Sequence, residues 1–428
     1  MNIAFYTLGC KVNQYETQVM REAFIKRGHK AVPTSAPFDA IVINSCTVTA
    51  ESDRKTRQIL NRFRKEHPEA AIALTGCMVQ ANVKKSEELK NADIIIGNTD
   101  VLKVVDSVEK FLSDGEPIFE VQKHPKNERF NTPNITEFAE RTRAYMKIED
   151  GCDRFCTYCI IPTARGWVRS KPLSEIRQEA EVLAKNGFLE IVLVGINLTS
   201  YGKGEDFDIC DAVATVAEVE GIKRVRLGSL EPDHITDQML ERLKSTEKFC
   251  PQFHLSLQSG CDRTLARMNR HYATAFYRDL VKRIRKMFPN AAITTDIMVG
   301  FAGETEEEFA ESVAFAKEIG FAKAHIFAYS RREGTVAYGL PNQVKNAVKS
   351  ERSKQMIEAT LQTEYTFLES FIGTTQNVLF EQEQDGYFEG YTENYCRVKV
   401  KSESIKTGEI VSVKIISREN DLLLGEML

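Results

Sequence analysis

Six cysteines carry the chemistry of this sequence. Cys152, Cys156 and Cys159 stand in IEDGCDRFCTYCIIPTARG at a C-x3-C-x2-C spacing, on a loop just after a predicted strand. Three thiolates so spaced can converge on one metal centre. Structural zinc usually takes four protein ligands, and no fourth Cys or His lies nearby. A four-iron cluster can be held by three thiolates, leaving one iron open. The alternatives are three structural cysteines or a zinc site completed from elsewhere. Cys10, Cys46 and Cys77 follow the predicted strands FYTLG, IVINS and IALTG. Their separations of 36 and 31 residues are too wide for a local motif. In a parallel sheet, however, equivalent strand ends share one edge, and three cysteines there can meet. The alternative is three small core residues, a common fate of free cysteine.

The elements that must position them follow from apolar patterning. Residues 1–112 alternate apolar runs (NIAFYTLG, AIVINS, AIALTG, DIIIGN) with helix-compatible stretches such as 51–66. Unbroken β-branched runs suit strands buried on both faces, so a doubly wound parallel sheet is expected. Residues 113–140, with Pro117, Pro125 and Pro133, read as a linker. From 141 to 370 six strand candidates (AYMKIED, EIVLVGIN, VRLGSL, QFHLSLQ, AITTDIMVG, KAHIFAYS) alternate with helices and end in one long helix over 343–370. This block predicts a complete or partial (β/α) barrel with its chemistry at the C-terminal strand ends. Residues 371–428 hold the strand candidates TQNVLFEQ, YFEGYT, CRVKVK and EIVSVKIIS between polar turns, which suits a small OB-like module.

The chain has 428 residues, 42% hydrophobic and 28% charged, with a net charge of −4. That length implies two or three domains, and the charge argues against a protein that simply coats nucleic acid. No apolar run is long enough to span a bilayer, and the N-terminus lacks signal-peptide patterning. A cytoplasmic protein without disulfides is expected.

The C-x3-C-x2-C loop resembles that of the radical S-adenosylmethionine superfamily. TLGCKVNQYET, NSCTVT, LTGC and DGCDRFCTYCIIPTARG together resemble the methylthiotransferases over nearly the whole chain. The resemblance implies a three-cysteine N-terminal domain, a radical barrel and a C-terminal TRAM domain. It implies two [4Fe-4S] clusters, one on Cys152, Cys156 and Cys159 for radical generation, one on Cys10, Cys46 and Cys77 for sulfur delivery. The motifs look most like the branch acting on N6-threonylcarbamoyladenosine at position 37 of tRNA, methylthiolated at carbon 2. Isopentenyladenosine in tRNA and an aspartate of a ribosomal protein are the neighbouring substrates. A sulfur source and an electron donor such as flavodoxin or ferredoxin are implied partners. A rival from another class is a zinc-stabilised RNA-binding protein without catalysis.

Related enzymes bind the cofactor at barrel strand ends, which here carry Gly195, Asn197, Ser229, Glu231, Gln258 and Asp296. Tyr158 and Phe155 lie within the cluster loop, either packing around it or, for Tyr158, lying beside adenine. GFAGET has Ala302 where the family usually has proline, which is expected to loosen that loop. For RNA, candidate grips are the basic stretches 51–66 and 262–287, the latter with Arg263, Arg267, Arg270, Arg278, Lys282, Arg283, Arg285 and Lys286. Phe155, Arg165, Trp167 and Arg169 could stack on or orient an extruded base. The C-terminal module is acidic overall, and a basic face is expected at Arg397, Lys399 and Lys401.

Overall fold

The computed structural model describes residues 1–138 and 142–428; the expected linker–barrel boundary at 140/141 lies outside the described residues. The N-terminal domain is a six-stranded parallel sheet, in spatial order β2-β1-β3-β4-β5-β6. Its strands are β1 (Asn2–Thr7), β2 (Lys30–Val32), β3 (Ala40–Ser45), β4 (Ala71–Gly76), β5 (Ile94–Ile96) and β6 (Ile118–Glu120). Alternate residues feed two separate cores. Ile3, Val42, Ala73 and Ile94 pack on one face, and Ala4, Ile41, Ile43, Ile72 and Leu74 on the other. Both faces are therefore covered by helices, and this is why the strands read as unbroken apolar runs. β6 falls within the stretch read as linker. It pairs with β5 as an edge strand, and it starts directly after Pro117, a position where an edge tolerates proline.

The central domain begins at β7 (Arg143–Lys147), followed by a small antiparallel pair, β8 (Glu149–Asp150) with β9 (Arg169–Ser170). The barrel continues through β10 (Glu190–Val194), β11 (Arg224–Leu227), β12 (Ser229–Leu230), β13 (Gln252–Leu255), β14 (Ala292–Val299) and β15 (Lys323–Ala328). The strands run parallel in two arcs, β11-β10-β7 and β12-β13-β14-β15. A break at Gly228 divides them, and a parallel bridge between Val225 and Phe249 joins them. The result is a partial (β/α) barrel. The loop carrying Ala302 is tied down beside it. Glu304 accepts the Gly300 N–H at 2.6 Å and receives Arg352 at 2.7 Å.

A long helix, Asn346–Glu369, leads to a closed five-stranded barrel. Its strands are β16 (Thr375–Gln384), β17 (Tyr387–Thr392), β18 (Arg397–Lys401), β19 (Ile410–Glu419) and β20 (Leu422–Met427). β20 was absent from the sequence reading. It closes the barrel by pairing with both β18 and β19. The β17–β18 turn docks on the N-terminal end of the central barrel. Arg224 donates to the carbonyls of Tyr391 (3.0 Å) and Asn377 (2.7 Å), and Arg226 to that of Glu393 (2.8 Å). Glu190 receives Arg226 at 2.8 Å beneath this contact.

Candidate active site

The first cysteine triad follows from strand register. β1, β3 and β4 are neighbours, with Thr7 opposite Asn44 and Ser45 opposite Gly76. Their ends therefore lie on one edge. Cys10 precedes the helix Lys11–Lys26, Cys46 directly follows β3, and Cys77 opens the helix Cys77–Ala81. Asn13 ties the loops together, donating to Asn44 Oδ1 (3.2 Å) and the Ser45 carbonyl (3.0 Å). Cys10 Sγ stands 3.4 Å from Asn13 Oδ1. Gly9, at φ +112°, lets the strands close up: a Cβ there would lie 2.8 Å from Cys46 Cβ and 3.1 Å from its Sγ. Cys46 and Cys77 are buried and Cys10 is exposed. Burial pushes the Cys77 thiol up to about 12 against the pull of Arg165.

The second triad sits on the loop after β8. Its backbone is pinned by Cys152 N–H to Gly166 O (3.0 Å), Cys159 N–H to Cys156 O (2.9 Å) and Thr157 N–H to Met268 O (3.0 Å). Burial raises the Cys152 thiol and takes that of Cys159 to about 12. Arg270, buried, donates to Cys156 Sγ at 3.2 Å and pairs with Glu231.

Arg165 joins the two sets. Its fully buried guanidinium donates to Cys77 Sγ (3.1 Å) and Asn13 Oδ1 (3.2 Å) and pairs with Glu16. Asp150 lies 3.4 Å away, shared with Lys147 and Arg169. Burial would raise the Asp150 carboxyl, but these three cations hold it well below the usual range. Such a network is costly to break because each charge left alone is buried.

The donor sets fit iron–sulfur clusters. Each offers three sulfurs, with a buried cation donating to one of them, an arrangement that suits thiolates on an anionic cluster. Among the described residues, no three His, Cys, Asp or Glu side chains surround a single ion.

A cavity of about 810 Å³ runs from Cys10 and Lys11 along the barrel interior to Tyr391 and Tyr395. Sheet register decides what it displays: Ser229 is opposite His254, His254 opposite Thr294, and Asp296 opposite His325. His254 Nε2 lies 3.3 Å from Asp296 Oδ2, and its Nδ1 3.0 Å from Thr294 Oγ1. Burial lowers the His325 pKa.

Of the strand-end residues expected at the cofactor, Gly195, Ser229 and Asp296 line this cavity together with Cys10. The other three, and Tyr158 of the cluster loop, lie outside its lining. Asn197 donates from its side-chain amide to Ser200 Oγ (2.7 Å) and accepts from Thr199 Oγ1 at its Oδ1 (3.2 Å). Glu231 is engaged by Arg270. Gln258, at φ +67°, is buried, with no partner for Oε1 among the described residues. Tyr158 packs edge-on to Phe301 at 6.3 Å. Sequence reasoning missed Glu149, His254 and the roles of Arg165 and Arg270. Glu149 is fully buried, accepts the Asn197 N–H at 2.7 Å and has no partner for Oε1 among the described residues. Burial, then Asp150, raises its carboxyl well above the ordinary range. The period-two alternation of QFHL was the available signal for His254.

The RNA grips read from sequence are corrected in part. In 262–287, Arg263 pairs with Glu311, Arg267 with Glu308, Arg270 with Glu231, Arg278 with Glu318, and Arg283 with Asp237 and Asp279. Arg285 donates to the Gly320 carbonyl. These arginines are engaged in ion pairs or carbonyl contacts on the barrel, Arg263 and Arg278 at partly exposed positions. Arg165 and Arg169 are likewise buried in ion pairs and cannot reach an extruded base. In the C-terminal barrel, Arg397 and Lys399 share Glu389, which offsets the expected basic face.

Residues 146–316 match the family model "Radical SAM superfamily", and residues 2–97 match "Uncharacterized protein family UPF0004". In fold, the chain is similar to the radical S-adenosylmethionine methyltransferase TsrM of Kitasatospora setae (TM-score 0.58, 12% identity, 78% of this chain and 76% of that one). The fold is thus one shared with radical S-adenosylmethionine enzymes. In sequence, the chain is 36% identical to threonylcarbamoyladenosine tRNA methylthiotransferase MtaB of Bacillus subtilis over 97% of this chain and 93% of that protein. It is 35% identical to the Aquifex aeolicus protein of the same name, over 97% and 100%. Identity to tRNA-2-methylthio-N(6)-dimethylallyladenosine synthase of Clostridium perfringens is 32%, over 99% and 96%. The chain belongs to the radical S-adenosylmethionine tRNA methylthiotransferase family.

Proposed function

We propose that this protein methylthiolates carbon 2 of N6-threonylcarbamoyladenosine at position 37 of tRNA. Cys152, Cys156 and Cys159 hold one [4Fe-4S] cluster, and Cys10, Cys46 and Cys77 the other. One observation carries the reading: Arg165 and Gly166, adjacent in sequence, touch both triads, at Cys77 Sγ (3.1 Å) and Cys152 N (3.0 Å). When bound, the two clusters and S-adenosylmethionine supply radical generation, sulfur and a methyl group. The chain's own part is to orient and to shield. Cys10 is the thiol of its triad that lines the cavity, so that triad presents its reactive side to a substrate there. Gly195, Ser229 and Asp296 supply polar contacts within reach of the same space. Arg165 and Arg270 hold positive charge against the sulfurs. The β17–β18 turn closes the far end of the barrel and limits water entry.

The threonylcarbamoyl substrate is favoured over dimethylallyladenosine by the higher identity to the relatives named for it. A flavodoxin- or ferredoxin-type donor in the cytoplasm delivers the electron, and sulfur comes from a source outside the chain. Mass spectrometry of tRNA nucleosides from cells lacking the protein tests the substrate. The methylthio derivative of threonylcarbamoyladenosine should vanish while the unmethylthiolated nucleoside accumulates. Its persistence, or loss of the dimethylallyl derivative instead, contradicts the reading.

A further inference from the structure

Beside the second triad, two large aromatic side chains are held in solvent. Phe155 is 52% exposed and Trp167 43% exposed, packed edge to face with ring centroids 5.8 Å apart. The Phe155 backbone is strained, and Trp167 closely approaches Gly151. Phe155 takes φ +48°, a left-handed conformation that bulky residues avoid, and Asn269 holds its carbonyl at 3.2 Å. The Trp167 carbonyl lies so close to Gly151, itself at φ +88°, that a Cβ there would meet it at 2.0 Å. The fold thus displays two apolar rings to water, Phe155 on a strained backbone.

The segment alongside is basic. His124 packs against Gly166, where an added Cβ would lie 2.6 Å from His124 Cβ. Glu128 fastens the segment through His124 Nδ1 (2.6 Å) and Arg169 (3.1 Å). This consumes the only carboxylate of residues 123–129. Lys123, Lys126 and Arg129 are left exposed, with no ion pair among the described residues. Stacking rings flanked by unpaired cations are what single-stranded nucleic acid requires, because every base has a π-face and every phosphate a charge.

We propose that Phe155 and Trp167, with Lys123, Lys126 and Arg129, form the docking surface for the single-stranded anticodon loop. An unpaired base stacks on the rings and its flanking phosphates lie on the three cations. The assignment rests on tRNA being the substrate. It places RNA recognition on the cluster loop and the segment after β6, rather than on the C-terminal barrel alone.

The test titrates the cluster-loaded full chain with a threonylcarbamoyladenosine-containing anticodon stem-loop. Trp167 is the sole tryptophan, so its emission should change as the RNA saturates. Trp167→Ala should weaken Kd roughly tenfold and Trp167→Phe should restore most of it. Replacing Lys123, Lys126 and Arg129 together by Ala should lower the salt slope, log Kd against log salt, by about 2. If wild type binds the stem-loop with unchanged Trp167 emission, and both the alanine variants match its Kd and slope, the assignment is overturned. It is equally overturned if these variants keep RNA affinity and instead lose reduction by flavodoxin, since the surface then serves the electron donor. If wild type does not bind the stem-loop, the tRNA reading itself fails.

Discussion

Arg165 Nε donates to Cys77 Sγ at 3.1 Å, although the two residues belong to different domains and lie 88 positions apart. The same guanidinium pairs with Glu16 of the N-terminal domain and faces Asp150 of its own. The Arg165 side chain and the carbonyl of its neighbour Gly166 therefore link the two triads. Replacing Arg165 by Met removes one cation from a buried network in which Lys147 still serves Glu16 and Asp150 and Arg169 still serves Asp150, so the loss should stay below that of a stranded buried charge, at about 1–3 kcal/mol. Lys, a point charge without the planar fork, should recover only part of it. Denaturant unfolding of Arg165→Met and Arg165→Lys checks this order; equal stability of all three proteins contradicts it.

Gly9 shows how closely the N-terminal triad is packed. A methyl group there meets Cys46 at 2.8 Å, and φ +112° is unfavourable for alanine. Gly9→Ala should displace Cys46 and lower iron content by about half, with the barrel cluster retained. Iron analysis with electron paramagnetic resonance of the reduced protein reads this directly. Full iron in the variant contradicts it.

The two triads should separate by function. Cys10→Ala should still cleave S-adenosylmethionine to 5′-deoxyadenosine but form no methylthio product. Cys156→Ala, which removes the sulfur facing Arg270, should lose both. Single-turnover assays with chromatographic detection of 5′-deoxyadenosine and nucleoside distinguish the outcomes. Methylthiolation by Cys10→Ala contradicts the assignment.

The junction of the central and C-terminal barrels should be acid-sensitive. Burial alone would raise the Glu190 carboxyl, but Arg226, Arg143 and Arg224 overcome it and hold it below the ordinary range. A carboxyl depressed in the folded state contributes stability above its unfolded pKa of about 4.3, and loses it as pH falls through the folded value. The denaturant midpoint should therefore drop below about pH 4, and Glu190→Gln should drop less between pH 7 and that range. An identical pH dependence in the two proteins contradicts the account.

Much of this was readable before the fold was known. Strand ends at Cys10, Cys46 and Cys77 were legible because buried parallel strands print unbroken apolar runs, and their register then brings the thiols together. Other features were not. β6 was hidden by neighbouring prolines. β20, LLLGEM, has only six residues, and its barrel closure depends on partners across the module. Arg165 and Arg270 looked like members of basic surface stretches. Their burial is decided by Glu16, 149 residues away, and Glu231, 39 residues away. No local pattern encodes such partners.

The most direct test of the central claim is iron stoichiometry in anaerobically reconstituted protein and two triple variants. Wild type should hold about eight irons per chain. The variant lacking Cys10, Cys46 and Cys77 should hold about four, and so should the variant lacking Cys152, Cys156 and Cys159. About four irons in wild type, or an undiminished count when either triad is removed, contradicts the two-cluster account.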